Sequence, residues 1–421
     1  MIRRLWQILG PVICAVFLVV GLIGCYPEGI AYSTKTEKHD AVALSKSNFK
    51  SKYKKLRALT DPETRFVPFM GSSEWLRFDI MHPSVIAEAY QRPYTPYLLG
   101  QRGAASLTHY FASQEISEAF EGKKAIYFVS PQWFVKEGAN AHAFQNYLTA
   151  GQVVSFLRQQ KDTEYDRYVA KRLLSLYAEV PFKDYLQKVA DGKKLGKKET
   201  QNLEFESYLL RKEDRFFGQF SIDLGNYANV VKQAEKLPEE FSYDKLEALA
   251  IEEGKSETTN NEFGIRNDFY RSKIARRKKK LKGSQKTFDY RVSPEYRDFQ
   301  VMLHQFAETD TDVLFIIPPV NSKWAEFTGL DQDMYQQTVD KIKYQLQSQG
   351  FTHIADFSKE GNQEFFMQDT IHIGWKGWLE MDKSVNPFLT KTSEKPNYHL
   401  DSRFLSKDWE DYIGDLKTFD R

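Results

Sequence analysis

From Leu5 to Tyr26 the chain runs for 22 residues without a charged side chain. As a helix this stretch reaches about 33 Å, enough to span a hydrocarbon core of about 30 Å. Arg3 and Arg4 precede it and Glu28 is the first charge after it. Positive charge before the span puts the N-terminus in the cytoplasm and everything beyond Tyr26 outside. Three readings compete: an uncleaved transmembrane anchor, a lipoprotein signal ending in the lipobox-like Leu22-Ile23-Gly24-Cys25, and a plain secretory signal. The uncharged run exceeds the apolar core of about 7–15 residues typical of a cleaved signal, which favours the anchor. All three export the rest of the chain.

That export limits the chemistry available. Cys14 and Cys25 are the two cysteines of the 421-residue chain, and both lie in this first segment. The exported part therefore has no disulfide framework, no thiolate zinc site and no cysteine nucleophile. The eight histidines form no HxH or HExxH pair, so no metal or other cofactor is expected. With 41% hydrophobic and 14% aromatic residues, the chain has the material for a packed core. Lys and Arg total 59 against 57 Asp and Glu. That balance, together with export, argues against a nucleic-acid partner.

Short apolar runs recur at intervals: FVPFM (66–70), PYLLG (96–100), AIYFVS (125–130), VLFIIPPVN (313–321) and HIADFS (353–358). Helix-patterned stretches follow the first, second and fourth, among them WLRFDIMHPSVIAEAY directly after Glu74 and DQDMYQQTVDKIKYQLQSQG. Strands alternating with helices predict an α/β fold on a largely parallel sheet, with the ligand crevice at the carboxyl ends of the strands. The division expected is a membrane segment over 1–26, a Lys-rich stalk or set of first helices over 27–60, and a catalytic domain over 61–421. A long charged helical insertion occupies about 140–300, as a lid or partner surface.

Three positions at strand ends carry oxygen- or nitrogen-based chemistry. Asp369 precedes His372 by three residues, a spacing at which a carboxylate can accept a hydrogen bond from the imidazole on one turn. Ser73 follows a strand and a glycine and heads an expected helix, where it also fits an N-cap. Together the three compose a Ser–His–Asp triad, with the tryptophans and Phe134 near these motifs as walls of a dry pocket. Gly103, after the second strand, lets backbone N–H groups approach an oxyanion. Gln132, after the third, adds a side-chain amide. Nine cationic residues crowd 271–286, with Arg276, Arg277, Lys278, Lys279 and Lys280 at the centre. That run suits a polyanion or an anionic membrane surface, and equally a solvated helix face.

A serine after the first strand, a glycine after the second, a polar residue after the third and a late DxxH resemble the SGNH (GDSL-like) hydrolase superfamily. GSSE stands where GDS is usual, and Gln132 where an Asn is usual. Within that superfamily FMGSSEW, LGQRGAASL, VSPQWF, NNEFG, IPPVN and DTIHIGWKGW resemble the DltD family of Gram-positive bacteria, over nearly the whole chain. The resemblance implies a three-layer SGNH-like sheet and D-alanylation of lipoteichoic acid outside the cell, as an acyltransferase working through a D-alanyl-Ser73 intermediate. Its site would use Ser73, His372 and Asp369, with Gly103, Gln132 and Asn321 as oxyanion or substrate contacts. The partners implied are lipoteichoic acid, the membrane O-acyltransferase DltB, the small membrane peptide DltX and the D-alanyl carrier protein DltC. A D-alanyl esterase or thioesterase of the same pathway fits the same motifs, and a tethered non-catalytic scaffold fits the basic run.

Overall fold

The computed structural model describes residues 2–26, 33–220, 225–392 and 394–419; Glu28 and the first part of the 27–60 stretch lie outside them. Helix α1 runs Ile2–Cys25. Its segment Trp6–Cys25 is long and apolar enough to cross a bilayer and is almost wholly unburied, which fits a single transmembrane helix.

The Lys-rich stretch is bolted to the body rather than extended as a stalk. It forms α2 (Thr34–Val42), α3 (Lys46–Lys50) and α4 (Lys52–Leu59). Ser33, Ser45 and Ser51 cap the three helices through their hydroxyls. Two of its lysines are fully buried, which only paired charges tolerate. Lys54 Nζ donates to Asp40 Oδ1 at 3.1 Å and to Asn48 Oδ1 at 3.1 Å. Lys55 Nζ donates to the Ala112 carbonyl at 2.8 Å and to Glu115 Oε1 at 2.9 Å.

Strands β1 (Phe66–Gly71), β2 (Thr95–Gly100), β3 (Lys124–Phe128), β4 (Asp312–Ile317) and β5 (Ile354–Asp356) form one sheet in the order β2-β1-β3-β4-β5. Every neighbouring pair is parallel. The β1–β3 ladder covers only Phe69 and Met70; Pro68, which has no N–H to donate, precedes it. Helix α5 (Pro83–Ala89) separates β1 from β2, and α6 (Ser106–Gln114) separates β2 from β3.

Between β3 and β4 come α7 (Ala141–Tyr147), α8 (Ala150–Gln159), α9 (Glu164–Leu176), α10 (Lys183–Ala190), α11 (Lys197–Gly218), α12 (Asn226–Ala234) and α13 (Tyr243–Glu257). The short turns α14 (Asn267–Phe269) and α15 (Lys278–Leu281) and the helix α16 (Glu295–Glu308) complete the excursion. Helices α17 (Ser322–Thr328) and α18 (Gln332–Gln347) lead to β5, and α19 (Trp375–Thr390) and α20 (Lys407–Asp411) follow it.

Side-chain alternation along the strands builds two cores. Phe66, Met70, Tyr127, Phe315 and Ile317 pack on one face with Phe111 of α6 and Phe299 and Phe306 of α16. Val67, Phe69, Phe128, Leu314 and Ile316 pack on the other with Ile86 of α5 and Trp378 of α19. The result is the parallel α/β sheet that the alternating pattern predicts, in the three layers that the SGNH resemblance implies.

The helix expected to begin at Ser73 does not form. A three-residue 3-10 turn, Glu74–Leu76, is followed by irregular chain up to Pro83. Proline suits the first helical position, and α5 starts there with the His82 ring accepting from the Ser84 N–H.

The Lys55–Glu115 pair gives a stability test. Glu115→Ala strands a buried ammonium and should lower unfolding stability by about 3–5 kcal/mol, read from urea denaturation. Lys55→Met with Glu115→Leu, which removes both charges, should recover most of that loss.

Candidate active site

β1 delivers Ser73 to the carboxyl edge of the sheet. In the order 2-1-3-4-5 the switch point lies between β1 and β3, where open α/β sheets hold their ligands. The backbone is tightly packed here: a Cβ on Gly100, at the end of β2, would meet the Ser72 carbonyl oxygen at 2.5 Å. Ser72 is buried and Ser73 half-buried. The Ser72 N–H donates to Glu74 Oε2 at 2.6 Å, and burial raises that carboxyl above its ordinary range.

His372 comes from a loop closed by the Met367–Ile373 bridge. Asp369 Oδ1 accepts the backbone N–H groups of Ile371 and His372, each at 3.0 Å. The same carboxylate lies 2.8 and 2.9 Å from His372 Nδ1. A carboxylate facing Nδ1 assigns the proton to that nitrogen and leaves Nε2 as the acceptor. Nε2 stands 2.8 Å from Ser73 Oγ. The structure thus brings Ser73, His372 and Asp369 into one hydrogen-bonded chain.

Asp369 has a third partner that spacing does not reveal. Arg77, just past the 3-10 turn, places Nε 2.8 Å from Asp369 Oδ2. The same Nε is 3.3 Å from His372 Nδ1, but both atoms carry protons, so the carboxylate is the true partner. Burial opposes the charged form of Asp369, yet the His372 and Arg77 charges and the backbone N–H groups outweigh it and hold the carboxyl down at about 2.

Gly103 takes a left-handed backbone (φ +75°), as its residue type suggests. Its N–H is already engaged, donating to Ser72 Oγ at 3.0 Å, while Ser72 Oγ donates to the Gln101 carbonyl at 3.1 Å. Gln132 sits in a 3-10 turn after β3, and its Nε2 is buried with no hydrogen-bond partner. An orphaned buried donor is costly and invites an acceptor. Asn321 is committed to the scaffold instead of to a substrate. Its oxygen caps α17 by accepting the Trp324 N–H at 2.9 Å, and its amide donates to the Phe263 carbonyl at 3.0 Å.

Asp79 and His109 also went unseen in the sequence, because their partners are distant in the chain. Asp79 Oδ2 accepts the Trp375 N–H at 2.7 Å and Gln368 Nε2 at 3.1 Å. It thereby holds the entrance of α19, where Trp375 has a strained positive φ of 23°. Burial raises the Asp79 carboxyl to about 7. His109 of α6 lies beneath the Ser72–Ser73 loop, its Nε2 2.8 Å from the Gly71 carbonyl. Burial lowers its pKa to about 4.

The end of the long insertion is laced to the same loop. The Arg266 N–H donates to the Gln368 carbonyl at 2.9 Å, and the Arg77 guanidinium lies 5.6 Å from the Phe269 ring centre. The basic run starts two residues later. It is not one helix: it passes through π, 3-10 and α turns, with Arg276, Arg277, Lys279 and Lys280 exposed and Lys278 paired with Glu262. Of the aromatics expected to wall a pocket, Trp75, Phe134, Trp375 and Trp378 are buried in the core, Trp75 stacking on Trp378, and Trp133 is half-buried. Among the described residues no group of three or more His, Cys, Asp or Glu side chains could hold a metal ion.

A five-stranded parallel sheet with Ser73, His372 and Asp369 linked at its carboxyl edge is the α/β arrangement that the SGNH resemblance implies. Comparison with known proteins narrows the class. Residues 41–390 match the sequence model of the family described as DltD protein. "Protein DltD" of Lacticaseibacillus rhamnosus is 41% identical over 414 residues, covering 97% of each chain. "Protein DltD" of Bacillus subtilis (strain 168) is 32% identical over 90% of this chain and 96% of its own length. "Protein DltD" of Staphylococcus aureus is 28% identical over 76% of this chain and 80% of its own. The chain belongs to the DltD family.

His109 supplies a pH test. Its folded pKa lies below the ordinary 6.5, so the unfolded chain binds the proton first. Its contribution is complete above pH 6.5 and is lost as pH falls towards 4. His109→Gln keeps an N–H donor for the Gly71 carbonyl but does not titrate. Between pH 6.5 and 4 the variant should lose about 3 kcal/mol less stability than the parent in urea titrations.

Proposed function

We propose that this protein is a serine-dependent D-alanyl acyltransferase acting on lipoteichoic acid at the outer face of the membrane. The DltD family is involved in the D-alanylation of teichoic acids, which supplies the pathway. The observation that carries the chemistry is the pair of contacts through His372: 2.8 Å from Nε2 to Ser73 Oγ and 2.8 Å from Nδ1 to Asp369 Oδ2.

The reaction is double displacement. His372 Nε2 takes the Ser73 proton as Oγ attacks the carbonyl of an activated D-alanyl ester or thioester. The tetrahedral intermediate collapses and expels the donor's oxygen or sulfur, which leaves with the proton held by His372. A glycerol or sugar hydroxyl of the polymer then attacks D-alanyl-Ser73, again giving its proton to Nε2, and Ser73 recovers it as the ester departs. Asp369 fixes the imidazole tautomer and stabilises the imidazolium, and Arg77 fixes Asp369. The unpartnered Gln132 amide is suited to the oxyanion. The Gly103 N–H serves it only if Ser72 Oγ yields its bond.

In this reading α1 is a single-pass anchor with Arg3 and Arg4 inside and the catalytic domain outside. Acyl groups activated on DltC in the cytoplasm reach Ser73 through the membrane O-acyltransferase DltB, with DltX as a membrane companion. The basic run attracts the phosphates of the polymer, and its start beside Phe269 brings that attraction near the triad.

Ser73→Ala should abolish D-alanine esters on lipoteichoic acid at an unchanged protein level. A fluorophosphonate probe should label the parent and not Ser73→Ala, and His372→Ala should label about 100-fold more slowly or worse. Parent levels of ester in the Ser73→Ala strain would refute the proposal. Release of free D-alanine from the acyl-enzyme, with no transfer to a glycerol phosphate polymer, would make the protein an esterase instead.

Charge reversal at Arg276, Arg277, Lys279 and Lys280 should weaken binding to purified lipoteichoic acid and flatten its dependence on salt. Unchanged binding across ionic strength would reduce the run to a solvated surface.

A further inference from the structure

Helix α11 buries one face and leaves an apolar one open. Its inner face is set by Leu203, which is buried, by Ser207, which accepts from Arg158 at 2.9 Å, and by Asp214, which accepts the Tyr53 N–H at 2.7 Å. Gly218 continues that face: a Cβ there would meet the Tyr53 ring at 2.9 Å. Roughly opposite lie Phe205, Leu209, Lys212 and Phe216, at spacings of four, three and four that keep them on one stripe.

Phe205, Tyr208, Leu209 and Phe217, together with Phe220 just past the helix end, are 44–59% exposed. Outside α1, Phe288 (42%) and Ile413 (61%) are the other exposed large apolar side chains among the described residues. Exposed large apolar side chains gathered on one helix in this way point to an interaction site.

The structure also indicates what covers it. Where α1 ends, the Tyr26 ring meets the Phe216 ring edge-on at 5.5 Å, and the Tyr26 hydroxyl donates to Gln219 Oε1. The open face of α11 is therefore continuous with the exit of the membrane-spanning segment. Arg211 and Lys212 each lie 5.9 Å from the Tyr208 ring centre, so cations stand beside and among the aromatic side chains. Aromatic rings beside basic groups suit the headgroup level of a bilayer.

We propose that α11 lies in the membrane–water interface, its Phe205–Leu209–Phe216 face in the outer leaflet beside the exit of α1, with Phe217 flanking that face. The helix, about 33 Å long, then acts as a second contact that stops the body from swinging about a single tether. The proposal rests on α1 being a membrane span and is independent of the acyl-transfer chemistry.

The test uses the full chain with Cys14→Ala and Cys25→Ala, one copy per lipid nanodisc. Nitroxides are attached to single cysteines at Phe205→Cys, Leu209→Cys and Phe217→Cys. Ser256→Cys serves as an aqueous reference and Leu18→Cys, within α1, as a membrane reference. The ratio of oxygen to water-soluble nickel collision rates at the three α11 positions should exceed that at Ser256→Cys by about threefold or more, as expected for an apolar face sunk about 5–10 Å into the interface. Ratios equal to the aqueous reference, with Leu18→Cys reading lipid, would overturn the α11 proposal and leave the anchor standing. A Leu18→Cys label that reads water would overturn both. Protection seen only in discs holding two copies would mean self-association and would also overturn it.

Discussion

One buried carboxylate, Asp369, ties the molecule together at its site. An ionised group in the interior survives only when its charge and lone pairs are met. Asp369 is met from two directions: by the imidazole and two N–H groups of its own loop, and by Arg77 from the loop after β1. Strand β1 is central, whereas β5, which precedes the Asp369 loop, is at the sheet edge. The loop must therefore reach back across the carboxyl edge of the sheet to meet Arg77 and Ser73. Asp79 holds its far end through the Trp375 N–H, and the Asn321 N–H holds its middle through the Thr370 carbonyl at 3.1 Å. Each of these contacts matters because a displaced Asp369 would leave a charge unpaired in the interior.

The parts legible in the sequence were those written locally. Strands show as apolar runs because both faces of a parallel sheet are covered, so nothing polar interrupts VLFII. Asp369 and His372 show because a three-residue spacing brings them together whatever the rest of the fold does. Arg77, Asp79 and His109 stayed hidden because each is defined by a partner from another part of the chain. The expected helix after Ser73 failed for a related reason. The pattern of WLRFDIM is compatible with a helix, but Asp79 turns its side chain to the Met81 and Trp375 N–H groups, and Pro83 resets the start. Likewise Trp75 and Trp378 lie close to the motifs in sequence yet beneath the site in space, because side chains beside a strand end can turn inward to the core as readily as outward.

The insertion between β3 and β4 is part of the site rather than an ornament on it. Its segment 263–269 reaches the DxxH loop through Arg266, the α17 cap through the Phe263 carbonyl, and Arg77 through the Phe269 ring. These bonds give the carboxyl edge of the sheet a wall that the five βα connections alone would not provide. They also account for Asn321, whose polar atoms join that wall to α17.

Placement decides what the basic run can do. At physiological ionic strength charges are screened beyond about 8 Å, so a cationic patch acts only on what passes close to it. A patch elsewhere on the body would bind a polyanion without presenting it to Ser73. Here the run begins at Arg271, two residues past Phe269, and Phe269 is joined through Arg77 to Asp369. On the proposed reading, a phosphate-bearing chain drawn to the start of the run would lie on the Arg77 side of the site. The near balance of charge over the whole protein, 59 against 57, conceals this local excess. On the proposed acyl-transfer reading, polymer capture beside the site would favour a polymer hydroxyl over water in the second displacement, because proximity raises the acceptor's effective concentration. That is the physical basis on which a site built like a hydrolase can favour transfer.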